Sequence, residues 1–208
     1  MSNTPPDNAA DRRAQILHAA FVCFAKRGFH QASMHDISAE AGISVGLIYR
    51  YFQNKEAVIS AMAACRKQVL QELLEQARKA PSLLEALEIL FIGHCCENSP
   101  ELQSAFVLDL YMEASRNPRL ADLVRDIVDT ATAGVTDLVA RAPEAQNLPS
   151  GLTPRELVEL IFATSRGMLM IDVLATERDP AKRREMQLRV VRRLWRLLFQ
   201  PESEAAYA

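Results

Sequence analysis

Apolar residues recur at three- and four-residue spacing along almost the whole chain, and apolar-polar alternation at every second position is scarce. Side chains so spaced share one side of a helix with 3.6 residues per turn, whereas a strand would send them to both faces. With only 7 glycines in 208 residues little interrupts the pattern, so the predicted fold class is all-α and no strand is required. The composition, 49% hydrophobic and 24% charged, permits a packed core and excludes collagen-like and low-complexity chains.

Capping residues, glycines and prolines divide the pattern into about nine helices. Asp11 is placed to cap the first, which carries Ile16, Leu17, Ala20, Phe21 and Phe24 on one stripe to about Lys26 and is stopped by Gly28. Ser33 caps a second helix ending near Ala41 and Gly42. Ser44 caps a third reaching Tyr51, and Asn54 a fourth that starts at Lys55 and is closed by Pro81. Further helices are predicted at about 82–97, 101–115, 118–141, 154–176 and 180–199, separated by Pro100, Pro118, the loop 142–151 and Pro180. The first ten and last eight residues read as disordered tails. No apolar run nears the roughly 18 residues of a membrane span, and the start lacks the profile of a signal peptide, so the chain is expected in the cytoplasm and away from membranes. Cys23, Cys65, Cys95 and Cys96 fit reduced thiols better than a disulfide framework.

The formal net charge of -2 conceals a split. From Asp11 to Lys67 there are 8 Lys or Arg against 4 Asp or Glu, a balance of +4, with His18, His30 and His35 besides; from Gln68 onward the balance is -5. Within the basic stretch, two short helices are joined by Ala41, Gly42, Ile43 and Ser44. That unit lets a second helix lie in the DNA major groove while the first braces it. Gly42 supplies a backbone conformation costly to residues with a side chain. On the third helix Ile48 and Phe52 stand four apart and can face the core with Ile37, which leaves the other face free. Gly46 costs about 1 kcal/mol against alanine inside a helix, a choice that makes sense where a backbone must approach something closely. Tyr49, Arg50 and Tyr51 offer hydroxyl and guanidinium donors for phosphates, and Lys55 adds charge at the start of the fourth helix.

These residues resemble the tetracycline-repressor (TetR) family of bacterial regulators. The likeness spans residues 11–62 and rests on the Ile-Leu-x-Ala-Ala-x-x-x-Phe pattern of 16–24 and on Gly28 with Phe29. It continues through Ile37, Ser38, Ala41, Gly42, Ile43 and Ser44, then Gly46, Ile48, Tyr49, Tyr51 and Phe52, and finally Lys55 with Glu56. The resemblance implies a homodimer with a helix-turn-helix DNA-binding head, at residues 11–71, and a helical ligand-binding and dimerisation body, at 72–200. It implies repression of a pseudo-palindromic operator, relieved by a small-molecule inducer. Carried over residue by residue, it makes Ser44, Tyr49, Tyr51 and Lys55 phosphate anchors and turns His35, Val45, Gly46, Leu47 and Arg50 toward the groove. Ser33 belongs to the same surface, although many members carry threonine where Ser33 and Met34 stand.

In the body the likeness narrows to Leu110–Leu123, where Glu113, Ala114, Arg116, Asn117, Pro118 and Leu120 look like members resembling the choline-pathway repressors. The last two predicted helices have broad apolar faces, and the resemblance assigns them to the dimer, with Ala163 and Gly167 permitting close approach and Trp195 at the bundle edge among solvated arginines. Phe91, His94, Phe106, Leu110, Tyr111, Glu113, Ile127, Phe162 and Met168 offer the mixed, largely apolar lining of a small-molecule pocket. Asp109 and Glu113, at i and i+4, could hold a cationic ligand or work as an acid and base pair. His94, Cys95 and Cys96 point about 100° apart along a helix and lack metal-ligand spacing, so no metal and no cofactor is expected. Two other classes remain. One is a thiol redox sensor built on Cys95 and Cys96, the other a helical enzyme using Asp109, Glu113 and His94. The second lacks a phosphate loop, a zinc signature or a nucleophile elbow, and the chain is not expected to be an enzyme.

Overall fold

The computed structural model describes residues 9–93, 100–145, 151–174 and 179–199. Among them the chain forms nine α-helices and one 3-10 turn, with no strand. The helices are α1 (Ala9–Gln31), α2 (Met34–Glu40), α3 (Val45–Tyr51), α4 (Lys55–Ala77), α5 (Leu83–Gly93), α6 (Pro100–Ala114), α7 (Pro118–Arg141), α8 (Pro154–Leu174) and α9 (Pro180–Phe199), with the 3-10 turn at Pro143–Ala145. No described helix is long and apolar enough to cross a membrane. His94, Cys95, Cys96 and most of both tails lie outside the described residues.

Three boundaries differ from the sequence expectation. α1 starts at Ala9, so Asp11 lies inside its first turn and favours the positive end of the helix dipole instead of capping it. α1 also continues past Gly28, whose φ of 77° and ψ of 159° kink the chain before residues 29–31 resume the helix. α4 ends at Ala77, ahead of Pro81, in a turn where Arg78 N bonds to the Leu74 carbonyl at 2.9 Å.

Packing divides the chain into two compact units, and one cut does not separate them. The first unit joins Met1–Arg66 to Ala105–Arg125; the second joins Lys67–Ser104 to Asp126–Ala208. The first has a core of Ile16, Ala20, Phe24, Ile37, Ile48, Phe52 and Val58, all at most 2% exposed, joined by Leu120. Phe106, Leu110 and Ala114 of α6 pack onto this core, with Phe106 edge-on to Phe21 at 5.4 Å between ring centres. Each such fully buried Ile, Val or Phe contributes about 1.5–3 kcal/mol through removal of its surface from water.

The second unit centres on Leu70, Leu74, Leu87, Val139, Leu157, Val191 and Trp195. Gly134 lets α7 lie close to α4, because a Cβ there would come within 2.5 Å of the Leu74 side chain. Trp195, expected to pack at the edge of the dimer bundle, sits in the core of this unit. It is 2% exposed and meets Phe91 edge-on at 6.3 Å, because one side of α9 packs against α5. Of the arginines around it, Arg192 forms two 2.8 Å bonds to Glu88, which raise its pKa.

Candidate nucleic-acid interface

Local chemistry builds both helices of the head's motif. Ser33 caps α2: its hydroxyl accepts from Asp36 N at 3.1 Å, and the Asp36 carboxylate accepts in return from Ser33 N at 2.9 Å. The Ser33 hydroxyl also donates to that carboxylate at 2.6 Å, and this bond first, then the one from Ser33 N, with the nearby Arg27 guanidinium adding to them, holds the Asp36 carboxyl below its ordinary range. α2 ends in a pair of bonds from Ile43 N to Ser38 O at 3.0 Å and from Gly42 N to Ala39 O at 3.1 Å, with Gly42 at φ 64°. This is the Schellman closure, whose left-handed residue is cheap only for glycine. A Cβ on Gly42 would meet nothing within 4 Å, so backbone conformation and not space demands the glycine. Ser44 then caps α3 by accepting from Leu47 N at 3.2 Å.

α3 is split lengthwise. Ile48 and Phe52 are 0% and 2% exposed and anchor it to the core with Ile37. Val45, Gly46, Tyr49 and Arg50 form an exposed face, with Tyr49 50% exposed and open space beside Gly46. Ser33, His35 and Ser44 are exposed next to it in sequence; Leu47 is half-buried, and Tyr51 rests partly on the core. The arrangement is a bare seven-residue helix, fastened from behind, that offers an aromatic hydroxyl, a guanidinium and a close-approach glycine.

Lys55, expected as a phosphate anchor, is engaged within the head. Its ammonium donates to three carbonyls at the end of α1, those of Phe29, His30 at 3.3 Å and Ala32 at 3.1 Å. It also lies 4.3 Å from the centre of the Phe29 ring. Burial lowers its pKa, and the Glu113 carboxylate opposes that shift. The physical reason for this inward turn is the end of α1 at Gln31, where the last carbonyls have no further helical N–H to accept from and an ammonium has three donors to supply them.

α6 serves the same end of α1. Asp109 accepts from Phe29 N at 2.8 Å, and buried Glu113 stands 2.6 Å from His30 Nε2. The pair suggested for a cationic ligand or for acid-base chemistry is therefore engaged by the head's own backbone and histidine. Of the residues suggested for a ligand, Phe106 and Leu110 belong to the head core, and Tyr111 is half-buried on α6. Phe91, Ile127, Phe162 and Met168 are each partly buried against the core of the second unit. No group of three His, Cys, Asp or Glu able to hold a metal occurs among the described residues. Cys23 is buried, which raises its thiol pKa, and Cys65 is exposed.

Sequence reasoning missed Arg12, Arg13 and Gln15. Arg13 stacks 4.4 Å from the centre of the Phe52 ring, and Gln15 joins Arg12 to the carbonyl of Ala41. No sequence signal marks these contacts, because they link the first turns of α1 to residues far along the chain.

Residues 16–62 match the family described as "Bacterial regulatory proteins, tetR family". The chain is 30% identical over 173 residues to the HTH-type transcriptional regulator UidR of Escherichia coli K12, covering 78% of this chain and 84% of that one. Among solved structures it is similar to Salmonella enterica GusR, with a TM-score of 0.68, 25% identity, and coverage of 92% and 97% of the two chains. The FadR structure from Bacillus subtilis in complex with stearoyl-CoA shares the fold, with a TM-score of 0.66 at 19% identity, covering 90% of this chain and 97% of that one.

Proposed function

Because this chain belongs to the tetR family of bacterial transcriptional regulators, we propose that it is a dimeric repressor that grips a pseudo-palindromic operator through α3 and is released by a small lipophilic ligand held in its body. The observation that carries the DNA reading is the exposed face of α3, Val45, Gly46, Tyr49 and Arg50, backed by buried Ile48 and Phe52. A solvated helix face would have no use for a glycine in its first turn or for a half-exposed tyrosine beside an arginine without an acidic partner among the described residues. Val45, Gly46, Leu47, Arg50 and His35 face the groove in this reading, Ser44, Tyr49 and Tyr51 bind phosphates, and Ser33 lies on the same surface. Lys55 is moved from that set to a structural clasp.

A single seven-residue helix reads only a few base pairs, so specificity calls for two copies spaced about 34–36 Å or one further turn apart. The dimer face proposed is the outward stripe of α8 formed by Ala163, Gly167, Met170, Ile171 and Leu174, with Met186, Val190 and Leu197 of α9; Leu174 and Leu197 are 73% and 68% exposed. Open space beside Gly167 admits a close neighbour.

Phe91, Ile127, Phe162 and Met168 keep accessible surface while resting on the body core, as the wall of a lipophilic pocket does. The acyl-CoA in the FadR complex supports that ligand class for this fold. Release requires tighter binding to the DNA-free form, and a hundredfold preference corresponds to about 2.7 kcal/mol.

The test is selection from a randomised duplex pool with the purified protein, light scattering, and a thermal-shift screen of fatty acids, acyl thioesters, dyes and cations followed by a DNA-release assay. A dimer selecting a two-fold symmetric site that a hit releases is expected. A monomer with no duplex preference sinks the DNA reading, and hits that stabilise the protein without changing operator affinity sink the inducer.

A further inference from the structure

Two cations at the start of α1 are held in place yet left unneutralised. The guanidinium of Arg13 lies over the ring of Phe52, the residue that closes α3. The guanidinium of Arg12 donates to Gln15 Oε1 at 2.7 Å, and Gln15 Nε2 donates at 2.7 Å to the carbonyl of Ala41, which closes α2. One arginine is thus fastened at the far end of the recognition helix, and the other at the turn that precedes it. Fixing a long flexible side chain costs conformational entropy. Three other arginines of this unit spend donors on carboxylates: Arg27 binds Asp36, Arg119 lies 3.5 Å from Glu56, and Arg125 bonds to Asp122 at 2.6 Å. Among the described residues Arg12 and Arg13 have no acidic partner within 4 Å.

Such an arginine keeps most of its five donors, in a fork that fits phosphate oxygens. α3 has seven residues and so spans about 10 Å, while the major groove it would enter is about 12 Å wide. Both ends of an inserted α3 therefore come close to the phosphate walls of the groove. We propose that Arg12 and Arg13 each clamp a backbone phosphate beside the recognition helix, and that Gln15 and Phe52 are the positioning residues that aim them. Their contribution is depth and register on the duplex, without base reading. The inference rests on the DNA-binding reading above.

The experiment measures affinity against salt, from 50 to 200 mM, for the full chain on its selected duplex and on a scrambled one. Arg12→Gln and Arg13→Gln should each lower the slope of log affinity against log salt by about 0.9, so that the fourfold salt rise weakens the variant about 3.5-fold less than wild type. The double variant should be spared about 12-fold. The loss should be the same on both duplexes, and Arg13→Lys should restore the slope. Gln15→Glu keeps both arginines but sets a carboxylate beside Arg12, and should remove about one contact's worth of slope without truncating any cation. Unchanged slopes in all the glutamine variants overturn the proposal, as does a changed base preference at unchanged slope. If wild type selects no duplex at all, the DNA reading fails first, and that result is distinct from a wild type that binds its site while the variants match it.

Discussion

Replacing Lys55 by methionine separates a clasp from a phosphate anchor, because the two roles make opposite demands on stability and on salt dependence. The ammonium serves the carbonyls of Phe29, His30 and Ala32 and covers the Phe29 ring. Hydrogen bonds to a charged group contribute about 1.5–3 kcal/mol net, and a cation over an aromatic face at a partly exposed site about 0.5–1 kcal/mol. Three acceptors share one half-buried charge, and burial already works against that charge, so the bonds do not add in full. Methionine keeps the length and apolar stem of the side chain and regains the cost of desolvating the ammonium. The expected net loss is about 2 kcal/mol, at the low end of that bond range. For a chain of this length that lowers the thermal midpoint by about 4–8 °C. A typical reserve of 5–15 kcal/mol keeps the variant folded at 25 °C, so its DNA binding can be measured. Differential scanning calorimetry reports the first quantity, and fluorescence anisotropy at stepped salt reports the second. The slope of log affinity against log salt should match wild type. A slope lowered by about 0.9 with an unmoved thermal midpoint would refute the reasoning, because it would mean that the ammonium leaves the α1 carbonyls for a phosphate.

Two glycines with positive φ should differ in their tolerance of alanine. Gly42→Ala, at φ 64° with open space around it, should cost about 1–2 kcal/mol by urea titration. Gly28→Ala, at φ 77° and ψ 159°, enters a region essentially closed to side chains and should cost more. The Ser33 and Asp36 capping box should appear in the acid limb of stability. The Asp36 pKa is lower when folded than when unfolded, so its contribution is complete above about pH 4 and fades as pH falls through the folded value. Ser33→Ala should therefore destabilise at pH 7 and approach wild type in strong acid; a constant gap from pH 7 to pH 2.5 would contradict the assignment.

Much of the head was legible in the chain before any packing was seen. Helices arise from a period that any neighbour satisfies, and the α2 to α3 turn is closed by bonds among residues three to five apart, from Ser38 to Ile43. The bare face of α3 follows from the same period, since burying Ile48 and Phe52 leaves Val45, Tyr49 and Arg50 outside. Other features are decided by partners distant in sequence, and no local pattern ranks such partners. A lysine four residues past the recognition helix can face water, a phosphate or a carbonyl; packing of α4 beside the end of α1 put Lys55 on the carbonyls there. The apolar stripe of α6 did not say which core it would cover, and packing against Phe21 placed Phe106 in the head. Trp195 among arginines looked like an edge until α5 covered it, and Arg13 acquired its place only when the chain brought Phe52 beneath it. Periodicity determines which side of a helix is buried. Only the tertiary structure determines what it is buried against, because apolar burial is non-directional and any surface of the right shape satisfies it.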